Sequence, residues 1–296
     1  NVTLAVPADS LSREIVWRIA TECGTEVSGR VRAGELPEHE RREVDGRWLT
    51  RRDLLLPGSL PHGYHTLHVA LDGGASETCA LVVAPLACHE PRVLHDGGRL
   101  WGVAVQLYTL RSEQNWGIGD FADLAAVVRA CAEQGAAFVG LNPLHALFPG
   151  NPWQFSPYSP SSRHFLNVLY IAIERVAEFG HCAEAQAIVH AAGFQAELAR
   201  LRATPCVDYP GVAQAKRRIL KLLHAHFRRD QSAQTSARVA QFQAYRAERG
   251  ESLRRHALHD AIDEHMRAVD GHRYWGWPMW PEELREPTLP GVQAFE

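Results

Sequence analysis

The chain has 296 residues, 46% of them hydrophobic, which is enough for about two domains with a sizeable buried core. Its 31 basic and 34 acidic residues leave a net charge of -3, so no overall field draws it to nucleic acid or to an anionic membrane. No window holds the roughly 18 uninterrupted apolar residues of a membrane span, and NVTLAVPADS has neither the charged nor the apolar region of a signal peptide, so a cytoplasmic setting is expected.

Residues 1–90 contain the runs VTLAVP, EIVWRIAT, EVSGRVRA, TLHVAL and CALVVAP, separated by Gly, Pro and Asp clusters, a spacing that predicts an antiparallel β-sandwich. Tyr64, in LPHGYHTLHVAL, is available there for a corner or inter-sheet contact. Residues 91–99 carry a Pro and a Gly pair between two apolar runs and read as a linker.

From Leu100 the pattern changes. Val103–Leu107 suits a buried parallel strand, and Asp120 sits where an N-cap would open a helix. Phe121, Leu124, Val128 and Cys131 follow helical spacing, with Gly135 as the stop. Phe138–Leu141 predicts a second buried strand and Asn167–Ile173 a third, with a long functional loop between them. Strand, helix and strand in that order make one βαβ unit of an α/β enzyme, a class that places chemistry at strand C-terminal ends.

Ala183 to Val269 is helical in pattern. Ile219, Leu222, Leu223 and Phe227 form one apolar face, Val239, Phe242 and Tyr245 another, and Leu253, Leu258, Ile262 and Met266 a third. The stretch RYWGWPMWPEELREP then ends helix in a rigid aromatic loop, where Trp275, Trp277 and Trp280 read as a packed cluster. The runs Lys216-Arg217-Arg218 and Arg254-Arg255 read as solvated helix faces.

Several patterns are excluded on spacing. Gly117-Ile118-Gly119 imitates a dinucleotide fingerprint, but eight residues separate the strand from Trp116, and the second strand ends in Asn142-Pro143 rather than in an acid. Its glycines instead suit a tight loop that brings Trp116 and Asp120 close to neighbouring loops. His62, His65 and His68 alternate faces on a strand and cannot converge on a metal. The six cysteines are scattered without a CxxC pair and read as reduced thiols. No metal and no cofactor is expected.

Ser156-Pro157-Tyr158-Ser159-Pro160 follows the second strand. A Tyr ring stacks on a pyranose face, and serines with Asn151 and Gln154 offer hydrogen bonds of both polarities, as a neutral polyhydroxyl ligand needs. A Pro-stiffened structural loop fits the same residues equally well. Asp123, Glu174 and Asp208 are carboxylates that nothing pairs for acid–base work, so no catalytic residue is nominated.

The wording WGVAVQLYTLRSEQNWGIGDFADL, then FVGLNPLHALFPGNPWQFSPYSPSSRHFLNVLYI and finally WGWPMWP closely resembles the bacterial 4-α-glucanotransferases, also called amylomaltases or disproportionating enzymes, in their N-terminal portion. The resemblance implies a multidomain protein, with a β-sandwich accessory domain over 1–90 and a linker over 91–99. The first part of a (β/α)8 TIM barrel would cover 100–182, and an α-helical insertion with its aromatic loop 183–296. It implies transfer of α-1,4-glucan segments between maltooligosaccharides by a retaining mechanism, with both carboxylates expected beyond Glu296 and this piece inactive alone. By the same resemblance Tyr158, Ser156 and Asn167 would contact substrate, while Trp116 and Asp120 would shape loops near the barrel mouth. The alternatives are a non-catalytic glucan-binding module and an α-glucan hydrolase on the same scaffold.

Overall fold

The structure is a computed structural model that describes residues 1–74, 76–229 and 237–295; Glu296, the edge beyond which the carboxylates are expected, lies outside the described residues. The chain divides into two compact units, Asn1–Asp96 and Gly97–Glu296.

Among its described residues the first unit has seven strands, β1 (Val2–Pro7), β2 (Glu14–Ala20), β3 (Glu26–Arg32), β4 (Glu38–Val44), β5 (Arg47–Leu54), β6 (Gly63–Leu71) and β7 (Ser76–Val83). They pair antiparallel in two sheets, ordered β1-β5-β4 and β3-β2-β6-β7. The alternation in β2 sets the inner face: Ile15, Trp17 and Ile19 are buried, and the residues between them are not. With Val6, Leu54 and Leu67 they form one core drawn from both sheets. Gly29 lies opposite Trp17 in the ladder, where a Cβ would collide with the indole ring.

The sequence runs did not anticipate β4 and β5. Every residue of β4 is exposed, so it carries no apolar alternation. The local signal is instead Asp45-Gly46, both at positive φ (48° and 74°), the two-residue turn that joins tight hairpins. Tyr64, available by sequence for a corner or inter-sheet contact, is 73% exposed. His62 precedes β6, and His65 and His68 separate as the strand period requires. His65 is buried, with Nε2 donating to Pro61 O at 2.8 Å and Nδ1 accepting from Glu22 N at 3.1 Å, whereas His68 Nδ1 pairs with Thr78 Oγ1 at 3.0 Å. A single helical turn, α1 (Arg92–His95), follows.

The second unit opens with β8 (Gly102–Val105), α2 (Phe121–Glu133) and β9 (Phe138–Leu141), the two strands pairing in parallel with Val103 opposite Val139. These strands are not buried as their apolar runs suggested: no residue in either is fully covered, and Phe138 is 56% exposed. The first also stops short, because the chain turns at Gln106 and Leu107 becomes a fully buried part of a 3-10 turn.

The expected third strand over Asn167–Ile173 is absent. A short antiparallel pair, β10 (His145–Ala146) and β11 (Ser162–Leu166), precedes a 3-10 turn at Val168–Tyr170. The Asn167 carboxamide accepts a hydrogen bond from Leu169 N at 3.0 Å, so its side chain competes with extension and turns the backbone.

Helices α3 (Ala183–His190), α4 (Ala192–Ala203), α5 (Tyr209–Arg229), α6 (Ala237–Asp270, kinked at Gly250) and α7 (Pro290–Phe295) complete the unit. The main core joins Leu107, Trp116, Ile118, Leu169 and Ile173 to Phe194, Leu201, Val212, Ile219 and Leu223, so turns and helix faces supply it. A second cluster gathers Leu258, Ile262 and Met266 around Trp280 and Val292. The aromatic loop is split rather than packed throughout: Trp280 is buried, but Trp275 and Trp277 are more than half exposed. No helix among the described residues is long and apolar enough to cross a membrane.

Candidate functional site

The loops after β8 and β9 carry the candidate residues. Asn142, at the end of β9, ties them together: its Oδ1 accepts from Leu107 N at 2.7 Å, and its Nδ2 donates to Tyr170 OH at 3.3 Å. Trp116 is buried, stands edge-on to Phe194 at 5.3 Å, and donates from Nε1 to Glu174 Oε1 at 3.2 Å. Gly117 has φ 87° and lies where a Cβ would be 2.7 Å from Leu201 Cβ, and a Cβ on Gly119 would collide with the Leu107 carbonyl. These glycines therefore serve close approach of the loop to its neighbours.

Asp120 opens α2 through a reciprocal capping box. Its Oδ1 accepts from Ala122 N at 2.9 Å and Asp123 N at 3.3 Å, and Asp123 Oδ2 accepts from Asp120 N at 2.9 Å. Asn115 Nδ2 adds a fourth donor to that box, 3.0 Å from Asp123 Oδ2. Asp120, Asp123 and Glu174 all border one cavity of about 470 Å³, with Arg175 and Arg202 on its wall. Their contacts hold a helix end and an indole in place, while Asp208 lies elsewhere, bound by Arg200 and Gly211 N.

The main residue that the sequence reading missed is Lys216. It belongs to a basic run expected on a solvated face, yet it is 0% exposed. Its Nζ donates to Leu169 O at 2.7 Å and Ile171 O at 2.8 Å, and stands 3.7 Å from Asp120 Oδ2. Burial pulls the ammonium down to about 8, with the Asp120 charge opposing. Burial likewise pushes the Asp120 carboxyl up, against the pull of Lys216. The signal was in the spacing: Val212, Lys216, Ile219 and Leu223 share one stripe of α5. Arg217, half-turned outward, pairs with Glu264 of α6, and Arg218 is exposed.

The loop after β9 divides its residues between surface and interior. Ser156 and Tyr158 are exposed, the latter at 67%, beside the exposed Trp153 and Phe155. Asn167 is buried, its backbone N–H donating to Leu144 O and its side chain committed to the turn. Phe155 stacks on Tyr209 with centroids 4.6 Å apart, and His256 of α6 stacks on Phe165 at 4.5 Å, burial lowering its pKa. Phe155, Asn167, Val168, Tyr209 and His256 line a mostly apolar pocket of about 110 Å³. Of the five residues singled out in the sequence, Asn167 borders this pocket and Asp120 borders the larger cavity. Ser156 and Tyr158 lie on exposed loop, and Trp116 is core. Among the described residues no group of three His, Cys, Asp or Glu side chains could hold a metal ion.

The family model described as 4-alpha-glucanotransferase matches residues 105–296, and that of the MalQ N-terminal beta sandwich domain matches residues 1–85. A 4-alpha-glucanotransferase of Haemophilus influenzae is 40% identical over 226 residues, covering 76% of this chain and 32% of the relative. One from Mycobacterium tuberculosis is 35% identical over 268 residues, covering 86% and 34%. The crystal structure of amylomaltase from Corynebacterium glutamicum matches with a TM-score of 0.69 at 29% identity, over 90% of this chain and 36% of that one. The chain thus spans about a third of the length of these relatives.

Proposed function

The chain belongs to the 4-alpha-glucanotransferase family, and from that premise we propose that the whole protein moves α-1,4-glucan segments between maltooligosaccharides. The chemistry is a double displacement with retention. A carboxylate attacks the anomeric carbon while a second carboxyl gives its proton to the departing sugar oxygen, and an acceptor hydroxyl then attacks the glycosyl-enzyme and returns a proton to that second group. We assign neither carboxylate to the residues described above and put both beyond Glu296, in later strands of an interrupted (β/α)8 barrel. In this reading residues 1–90 are the accessory domain and 91–99 the linker; residues 100–182 begin the barrel, and 183–296 are its helical insertion and aromatic loop.

The observation that carries the reading is Tyr158, an aromatic side chain 67% exposed on the long loop after β9. Exposed on the loop that also carries the exposed Ser156, it suits stacking on a sugar face. Asn167 borders the pocket that Phe155 of the same loop lines and sets the turn at Val168–Tyr170. Trp116 and Asp120 shape the loop after β8. No cofactor enters this chemistry, the partners are neutral glucans, and six free thiols suit a reducing cytoplasm.

The test is to incubate the polypeptide expressed from its complete coding sequence with maltotriose and resolve the products by chain length. Glucose together with maltopentaose and longer chains is expected. Glucose and maltose alone would replace transfer by hydrolysis, and unchanged maltotriose would leave a glucan-binding module.

A further inference from the structure

We propose that Lys216 is a positioning residue for the glucan site, its single ammonium fixing the Asn167–Ile171 segment to the Asp120 loop. The inference rests on the glucan-transfer reading of those loops. The ammonium donates hydrogen bonds to Leu169 O at 2.7 Å and Ile171 O at 2.8 Å and forms an ion pair with Asp120 Oδ2 at 3.7 Å. The side chain has no exposed surface, and it comes from α5, between Val212 and Ile219 on the buried stripe of that helix. The charged groups that face it are Asp120, Asp123 and Glu174.

Stability alone is a poor reason for this arrangement, because well-packed apolar side chains often replace buried ion pairs without loss. What an apolar side chain lacks is the ability to hold two carbonyls of one turn and a helix cap at fixed separations. Asn167 caps that same turn from its other end through Leu169 N, so the turn beside the pocket is held from both sides. Lys216 thereby ties the helical segment to both candidate loops without touching sugar itself.

The test uses the complete protein in two variants, Lys216→Met and the double variant Lys216→Met/Asp120→Asn. The single change strands a buried carboxylate, and the double change removes that charge while Asn keeps the N-cap. For the double variant we expect a melting temperature close to that of the unmutated protein and faster hydrogen exchange at the amides of Leu169, Tyr170 and Ile171. Its kcat/KM for maltotriose transfer should fall by about 10- to 100-fold, the scale of a misplaced substrate-positioning group. Unchanged exchange or unchanged kcat/KM in the double variant would overturn the proposal. So would failure of the double variant to fold, which would make Lys216 a fold-stability residue. If the unmutated protein leaves maltotriose intact, the glucan-transfer reading fails by itself, and the exchange rates alone decide whether Lys216 grips the turn.

Discussion

The two units fill their interiors by opposite means. In Asn1–Asp96 strands do it: Ile15, Trp17 and Ile19 of β2 meet Val6, Leu54 and Leu67 from both sheets. In Gly97–Glu296 the strand pair β8–β9 contributes no fully buried residue, and the core comes from Leu107, Trp116, Ile118, Leu169 and Ile173, all outside regular strand and helix, packed on α3–α5. Loops are usually the mobile part of a scaffold. Here the loop after β8 and the turns at 168–175 are themselves core, so they are held in shape before any ligand arrives, whereas Ser156 and Tyr158 lie on exposed loop.

That contrast can be broken most forcefully at Asp120. Asp120→Ala removes the cap of α2 and leaves the Lys216 ammonium buried without its nearest counter-charge, and a loss of about 3–5 kcal/mol is expected in urea titration. Asp120→Asn, which keeps the cap, should cost less. If both cost the same, the ion pair is not what matters.

Ile19→Ala in the sandwich core should cost about 2–5 kcal/mol of that unit's stability. Maltotriose transfer by the complete protein, assayed below the melting transition, should stay unchanged, since no candidate residue lies in Asn1–Asp96. Lost transfer would mean that the site draws on both units.

A smaller effect is spread over pH. Lys216 holds its proton to about pH 8 in the folded protein, against the ordinary value of 10.5. Below pH 8 both folded and unfolded chains are protonated there, and the residue adds no slope. Between about 8 and 10.5 the unfolded chain binds more protons, so this residue makes stability rise with pH across that window. Lys216→Met should remove this rise, which urea titrations at several pH values would reveal. The smallest change is Gly193→Ala in α4, where a Cβ meets nothing within 4 Å; a gain of about 0.4–1 kcal/mol is expected in the same titration.

The sequence discloses those parts of the fold whose causes are local. The alternation of β2, the Asp120 cap, and Gly135 with φ 80° at the end of α2 are each written within a few residues. Features without an apolar pattern of their own, or set by distant partners, were not legible. β4 is a strand because β5 pairs with it, not because its charged residues alternate. β8 and β9 have the apolar runs of buried strands, yet no residue in either is fully buried. Asn167 reads as strand until its side chain is seen capping the next turn, and Lys216 reads as surface until two carbonyls and a carboxylate arrive from elsewhere in the chain. Of the candidate residues, Tyr158 and Ser156 lie on the loop after β9 where the sequence puts them, and both are exposed. The cavity shared by Asp120, Asp123 and Glu174 was not legible, because it depends on how the turn at 173–175 folds back.

The most direct test compares two exposed tyrosines, Tyr158 on the loop after β9 and Tyr64 on the sandwich, at 67% and 73% exposure. In the complete protein, Tyr158→Ala should lower kcat/KM for maltotriose transfer about tenfold or more, the loss of roughly 1.4 kcal/mol of stacking, with the melting temperature unchanged. Tyr64→Ala should change neither. Equal and undiminished transfer by both variants would contradict a glucan site on the loop after β9.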